Sequence, residues 1–176
     1  MKLHDLVDNV EDLWESLNYR APHSDWKLVG DRLERELNVD GDEIVVSLEP
    51  KIFTFNGQAI DFINISFEGL KNGVRTAQLT GKLLNGSKVI GAVTNAIVDE
   101  LTNYDYSALT FISFDHVERR SSIYARIVRN NLHKFGTSYR TDVKMTNGGR
   151  AIIVFRASSA TWIQPFTEWL ANQEKI

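Results

Sequence analysis

A chain of 176 residues, 43% hydrophobic and 24% charged, is long enough to bury one core without disulfide or metal staples. It contains no cysteine, which excludes disulfides, thiolate chemistry and zinc sites with Cys ligands, and suits a reducing compartment. The formal net charge of −3 gives no overall attraction to nucleic acid, so such binding would need a local basic face.

Leu3, Leu6, Val7, Val10, Leu13, Trp14 and Leu17 recur at helical spacing with acids between them. The pattern predicts an amphipathic helix over 2–18, ending before Pro22. The opening Met1–Asp5 lacks the apolar run of a signal peptide, and no stretch approaches the length of a membrane span. A cytoplasmic protein without membrane association is expected.

Three turn dipeptides punctuate the next stretch. Asp40-Gly41 follows the run ending at Val39 and precedes Glu43–Leu48; Asn56-Gly57 separates Ile52–Phe55 from Ala59–Phe62. Asn72-Gly73 separates the Ile63, Ile65, Phe67 alternation from Val74–Thr80. Such pairs accept the positive φ angles of tight hairpins, so consecutive antiparallel strands are predicted, one face toward the core.

After Leu79-Thr80-Gly81 and a short loop, Lys82 to Ser87, the period becomes helical. Val89, Val93, Ile97 and Leu101 form a stripe with Ile90 beside it. Ser107–Phe114 reads as a strand buried on both faces. Ile123, Tyr124, Ile127, Val128, Leu132 and Phe135 mark a second helix closed by Gly136. Tyr139–Met145 and Ala151–Phe155 flank Asn147-Gly148-Gly149 as a last hairpin, and Trp162 to Leu170 suggest a helix over about 160–173. With no repeat, linker or low-complexity segment, residues 1–176 read as one domain with its core in 26–156.

Two segments could carry chemistry. The strand–loop–helix at 75–102 would expose backbone N–H groups at a helix N-terminus, where phosphate binds. Gly81 and Gly86 would allow close approach and Lys88 could add charge; equally, this is an ordinary strand-to-helix connection capped by Ser87. Arg119 and Arg120 fall in the first turn of the second helix, where cations are unfavourable unless they face an anion or acidic neighbours such as Asp115 and Glu118. The four histidines share no ligand spacing, and no nucleophile elbow, Walker loop, dinucleotide fingerprint or HExxH occurs, so no metal site is expected.

The order of elements resembles the Gcn5-related N-acetyltransferase (GNAT) superfamily, and most of all its diverged bacteriophage members. The resemblance runs over about 34–156, through Glu36–Val46, Phe62–Phe67, Leu79-Thr80-Gly81, Lys88–Val93, Ser107–Phe111, Arg120–Tyr124 and the last hairpin. It implies an α/β (α+β) fold with a mixed, mostly antiparallel sheet, a central parallel strand pair and flanking helices. The strand before the loop and the strand at 107–114 would be parallel and splayed, with acetyl-CoA or another acyl-CoA between them.

Carried over by position, Leu79 and Thr80 would flank the acyl group. Gly81 would also contact the cofactor, and Lys82, Asn85, Gly86, Ser87, Lys88 and Val89 would bound its pyrophosphate. Tyr124 would be the acid that protonates the leaving thiolate, Glu68 the nearest candidate base, and Arg119 and Arg120 would bind substrate or anion. The loop Lys82–Ser87 departs from the superfamily pattern in having one glycine and two leucines, Leu83 and Leu84.

Three functions follow as expectations. The first is an acyl-CoA-dependent N-acyltransferase with an unspecified acceptor. The second is a non-catalytic phage accessory protein that binds a host or phage macromolecule. The third is a nucleic-acid-binding or nucleobase-modifying relative that uses the basic 117–156 region, where nine Arg or Lys face two Asp or Glu. A homodimer is compatible with each.

Overall fold

Local backbone chemistry sets the first half of the sheet. In a computed structural model that describes residues 19–76, 86–114, 117–135, 139–156 and 159–173, the three Asx-Gly pairs form tight reversals. Both central residues of each turn take positive φ, as with Asn56 at 50° and Gly57 at 76°. This geometry matches the right-handed twist of the strands it joins. The turns connect β2 (Arg32–Val39), β3 (Asp42–Phe55), β4 (Gln58–Lys71) and β5 (Val74–Thr76), with β1 (Lys27–Val29) lying against β2. The helix expected over 2–18 lies outside the described residues, as do Leu79, Thr80, Gly81, Lys82 and Asn85.

β3 and β4 run unbroken for 14 residues each, where the sequence pattern suggested shorter pieces. Pro50 sits inside β3 opposite Ile63. The pairing of β3 with β2 ends at Leu48, so the N–H that proline lacks leaves no bond unmade on that side.

The second half alternates helix and strand. It comprises α1 (Gly86–Leu101), β6 (Ala108–Ser113), α2 (Val117–Asn131) with a 3₁₀ turn at Leu132–Phe135, the hairpin β7 (Tyr139–Lys144) and β8 (Arg150–Phe155), and α3 (Ile163–Ala171). The eight strands form one sheet in the order β1-β2-β3-β4-β6-β8-β7, with β5 pairing β4 beside that path. All described pairings are antiparallel except β4 with β6. The fold is a mixed α+β one, with helices on both faces of a mostly antiparallel sheet.

The parallel partner of β6 differs from the expected one. It is β4, because the Asn72-Gly73 reversal turns the chain back and leaves Val74–Thr76 antiparallel to β4. Helix α1 also begins at Gly86, three residues before Val89, the first of the apolar stripe.

Strand alternation divides the core. Ile44, Val46 and Leu48 of β3 and Ile63, Ile65 and Phe67 of β4 face α1 and α2, where the stripe Val89, Val93, Ile97 and Leu101 is buried as expected. On the other face, Phe53, Ile60 and Phe62 pack against Phe166 and Trp169 of α3, with ring centroids 5.1–5.8 Å apart. Burying such an aromatic cluster supplies several kcal/mol, about 3–5 for one phenylalanine truncated to alanine.

On this same face Arg75 reaches from β5 across the sheet to the buried carboxylate of Glu34 on β2, which also pairs with Arg32 at 2.6 Å. Its other nitrogen lies 3.7 Å from Glu68. The Arg75 hydrogen bond holds the Glu34 carboxyl below the usual carboxylate range, against the opposing effect of burial. A depressed carboxyl contributes stability that is complete above its unfolded value near ~4.3 and is lost as pH falls through the folded one. Chemical denaturation across pH 3 to 7 should therefore show stability declining below about pH 4.5. Arg75→Met should flatten that decline; an unchanged acid profile in the variant would dissociate Glu34 from it.

Candidate functional site

A buried strand edge must find partners for its N–H and C=O groups. β4 and β6 pair in register from Phe62 with Ala108 to Ile65 with Phe111, and then part. Beyond the parting, Ile112 and Ser113 pair with β8, and among the described residues β5 pairs with Gly69, Leu70 and Lys71 of β4. Among the described residues, no strand pairs with the main chain of Phe67 on this edge.

Two side chains of α2 fill the parting. Arg120 donates from Nη2 to the carbonyl oxygen of Phe67 at 3.1 Å. One turn further, the ring of Tyr124 sits between one residue from each parting strand. It lies 5.4 Å from Phe67, edge to face, and 5.6 Å from Phe111. Tyr124 is 1% exposed, and its hydroxyl has no hydrogen-bond partner among the described residues.

Burial pushes the Tyr124 hydroxyl above the usual tyrosine value. The charge of Arg120 and the nearby Phe67 main chain, which stops short of hydrogen-bond geometry, pull the other way, and Glu68 adds to the rise.

Behind the gap, on the opposite face of the sheet, a polar ladder ties the strands together. Thr110 Oγ1 donates to Asn64 Oδ1 at 3.1 Å, and Asn64 Nδ2 donates to Glu49 at 3.3 Å. Thr110 is fully buried, so this bond offsets the desolvation of its hydroxyl.

The expected site residues separate into three groups. Tyr124 and Arg120 meet at the parting. Glu68 follows Phe67 on β4, but its side chain points to the opposite face, beside Arg75. Around α1, Gly86 and Ser87 are its first residues and Val89 is buried in the core. Lys88 is tied to Asp40 of the β2–β3 turn at 2.9 Å and stands over the Tyr19 ring. The bond to Asp40 and its charge raise the Lys88 pKa. The side chain of Arg119 lies outside the described residues.

Sequence reasoning missed Phe67 and the Glu49–Asn64–Thr110 ladder. Phe67 is one apolar residue in a regular alternation, and nothing local marks where β4 leaves β6. Among the described residues, no group of three or more His, Asp or Glu side chains is placed to hold a metal, and no helix is long and apolar enough to cross a membrane. A scan of protein-family models and searches of curated proteins and of solved structures return no match to this chain.

An unpartnered buried hydroxyl costs about 1–3 kcal/mol in desolvation. Tyr124→Phe should accordingly leave the protein as stable as the parent or more stable, by up to about 1 kcal/mol in urea denaturation. A loss of more than about 1 kcal/mol would instead mean that the hydroxyl makes a bond worth keeping.

Proposed function

We propose that the parting between β4 and β6 is an acyl-transfer site and that the chain is a GNAT-like, acyl-CoA-dependent N-acyltransferase. The observation that carries this reading is the Tyr124 hydroxyl, which has no partner among the described residues and lies between Phe67 and Phe111 where the parallel strands separate. The sheet order, with its one parallel pair followed by a helix and a hairpin, supports the same reading.

An acyl-CoA would supply a thioester carbon open to attack by an amine and a thiolate that leaves. The first residues of α1, Gly86 and Ser87, present N–H groups without intrahelical partners that suit its phosphates. Phe67 turns its N–H to the same edge as its carbonyl, where it can stabilise negative charge growing on the acyl oxygen.

Tyr124 holds its proton because burial raises its pKa, and it gives that proton to the departing sulfur. Glu68, across the sheet from Tyr124, takes the proton released by the attacking amine, directly or through a water. Acid and base thus approach the parting from opposite faces. For the hydroxyl to meet a thiolate, Arg120 must move away from the Phe67 carbonyl.

The closed parting favours a second reading. With Arg120 satisfying Phe67 and Lys88 already paired to Asp40, the same fold works as a non-catalytic binding protein. Calorimetric titration with acetyl-CoA separates the two. Binding, and acetyl transfer to a panel of amines that falls about 10²-fold in Tyr124→Phe with cofactor affinity unchanged, supports the first reading. No heat at millimolar acetyl-CoA favours the second. Because the Tyr124 pKa is raised, loss of the acid on the alkaline side should come above tyrosine's usual value of about 10.

A further inference from the structure

Some described cations meet a carboxylate and others, Lys27, Lys71 and Lys134 among them, have no ion pair among the described residues. Arg20, Arg32, Lys51, Arg75, Lys88 and Arg156 each pair with an acid. Arg126 and Arg129 of α2 and Arg140 and Lys144 of β7 are exposed and make no ion pair among the described residues. They belong to the stretch 117–156, where nine Arg or Lys stand against two Asp or Glu in a chain of net charge −3.

The fold gathers this charge at one place. A cleft of about 380 Å³ lies between α2 and the β7–β8 hairpin, with Ser121 and Ser122 on the helix side and Asp142, Lys144 and Arg150 on the strands. Lys144 and Arg150 are direct cross-strand partners, so two positive side chains project from one face of the hairpin side by side. Arg140 pairs with Val154, a residue of the core beneath α2, so it projects to the same side as Lys144. Arg129 follows Ala125 by one turn and continues the helical wall of the cleft.

Shape decides between one phosphate and a chain of them. Arg140 and Lys144 are four residues apart on a strand, about 13 Å at roughly 3.3 Å per residue. That is a strip with hydroxyl donors along one wall, longer than a single phosphate. Asp142 between the two cations further disfavours a compact, multiply charged anion.

We propose that the phosphodiester backbone of a nucleic acid docks along the cleft between α2 and the β7–β8 hairpin, contacting Arg129, Arg140, Lys144 and Arg150. None of the side chains lining the cleft fills the parting between β4 and β6, so this proposal stands whether or not the acyl-transfer reading does.

Fluorescence anisotropy of a labelled single-stranded DNA of about 20 nucleotides, titrated with the full chain at about 50 and 200 mM NaCl, tests it. Micromolar binding is expected at the lower salt, with log K falling against log salt at a slope of about −2 to −3, as for three or four neutralised phosphates. The triple variant Arg129→Gln, Arg140→Gln, Lys144→Gln should bind at least about tenfold more weakly, as the loss of three phosphate contacts requires. Lys27→Gln with Lys71→Gln should bind as the parent does, and circular dichroism should show both variants folded.

Absence of binding at the lower salt would overturn the proposal. So would a folded triple variant that binds within about twofold of the parent, given the electrostatic share of such affinity. Displacement of the DNA by inorganic tripolyphosphate at a lower concentration of phosphate would also overturn it, because a compact anion would then be the preferred occupant.

Discussion

The parting of β4 from β6 is the constraint around which the rest of this structure is arranged. A strand edge in the middle of a sheet cannot be left bare, because unpaired backbone groups away from water cost as much as lost hydrogen bonds. Among the described residues, the edge between Ile65 and Gly69 has no strand partner, and Arg120 of α2 reaches it instead. Arg120 meets the Phe67 carbonyl with a charge-assisted hydrogen bond, a class worth about 1.5–3 kcal/mol. Tyr124 fills the wedge of space that separation opens. The position of α2 over the sheet follows from these two contacts together with the burial of Ile127 and Val128.

This arrangement gives one residue pair two physical roles. Arg120 and Tyr124 are structural in the closed parting, where they complete a strand edge and a core. The same placement leaves a protonated hydroxyl without a partner among the described residues where the parallel strands diverge. A hydroxyl in that state is costly when idle and is satisfied once a polar group enters. The Glu49–Asn64–Thr110 ladder holds β3, β4 and β6 together directly behind the gap, so opening it need not loosen the paired part of the sheet.

Charge follows a separate logic from packing. In the first half of the chain several cations are taken up by intramolecular pairs: Arg75 braces β5 to β2, and Lys88 ties the start of α1 to the β2–β3 turn. Surface pairs of the Lys88–Asp40 kind contribute little to stability. Their consequence here is that they remove free positive charge from that end of the molecule. The α2–hairpin face, with Arg126, Arg129, Arg140 and Lys144 unpaired among the described residues, keeps its field. Net charge alone, at −3, conceals this polarity.

What the sequence by itself determined is whatever depends on neighbours along the chain. Asp40-Gly41, Asn56-Gly57 and Asn72-Gly73 specify their reversals because positive φ is a property of those residues. The stripe Val89, Val93, Ile97 and Leu101 specifies the buried side of α1 because helical period is local too. Tyr124 was legible as a core residue and Arg120 as a cation out of place in a first helical turn. Only the tertiary structure decided that β4 is the parallel partner of β6, that the two part after Ile65 and Phe111, and that Arg120 meets a carbonyl there. These depend on residues 46 to 53 positions apart, whose pairing is set by how sheet and helices pack together. No pattern within a single segment encodes such a register.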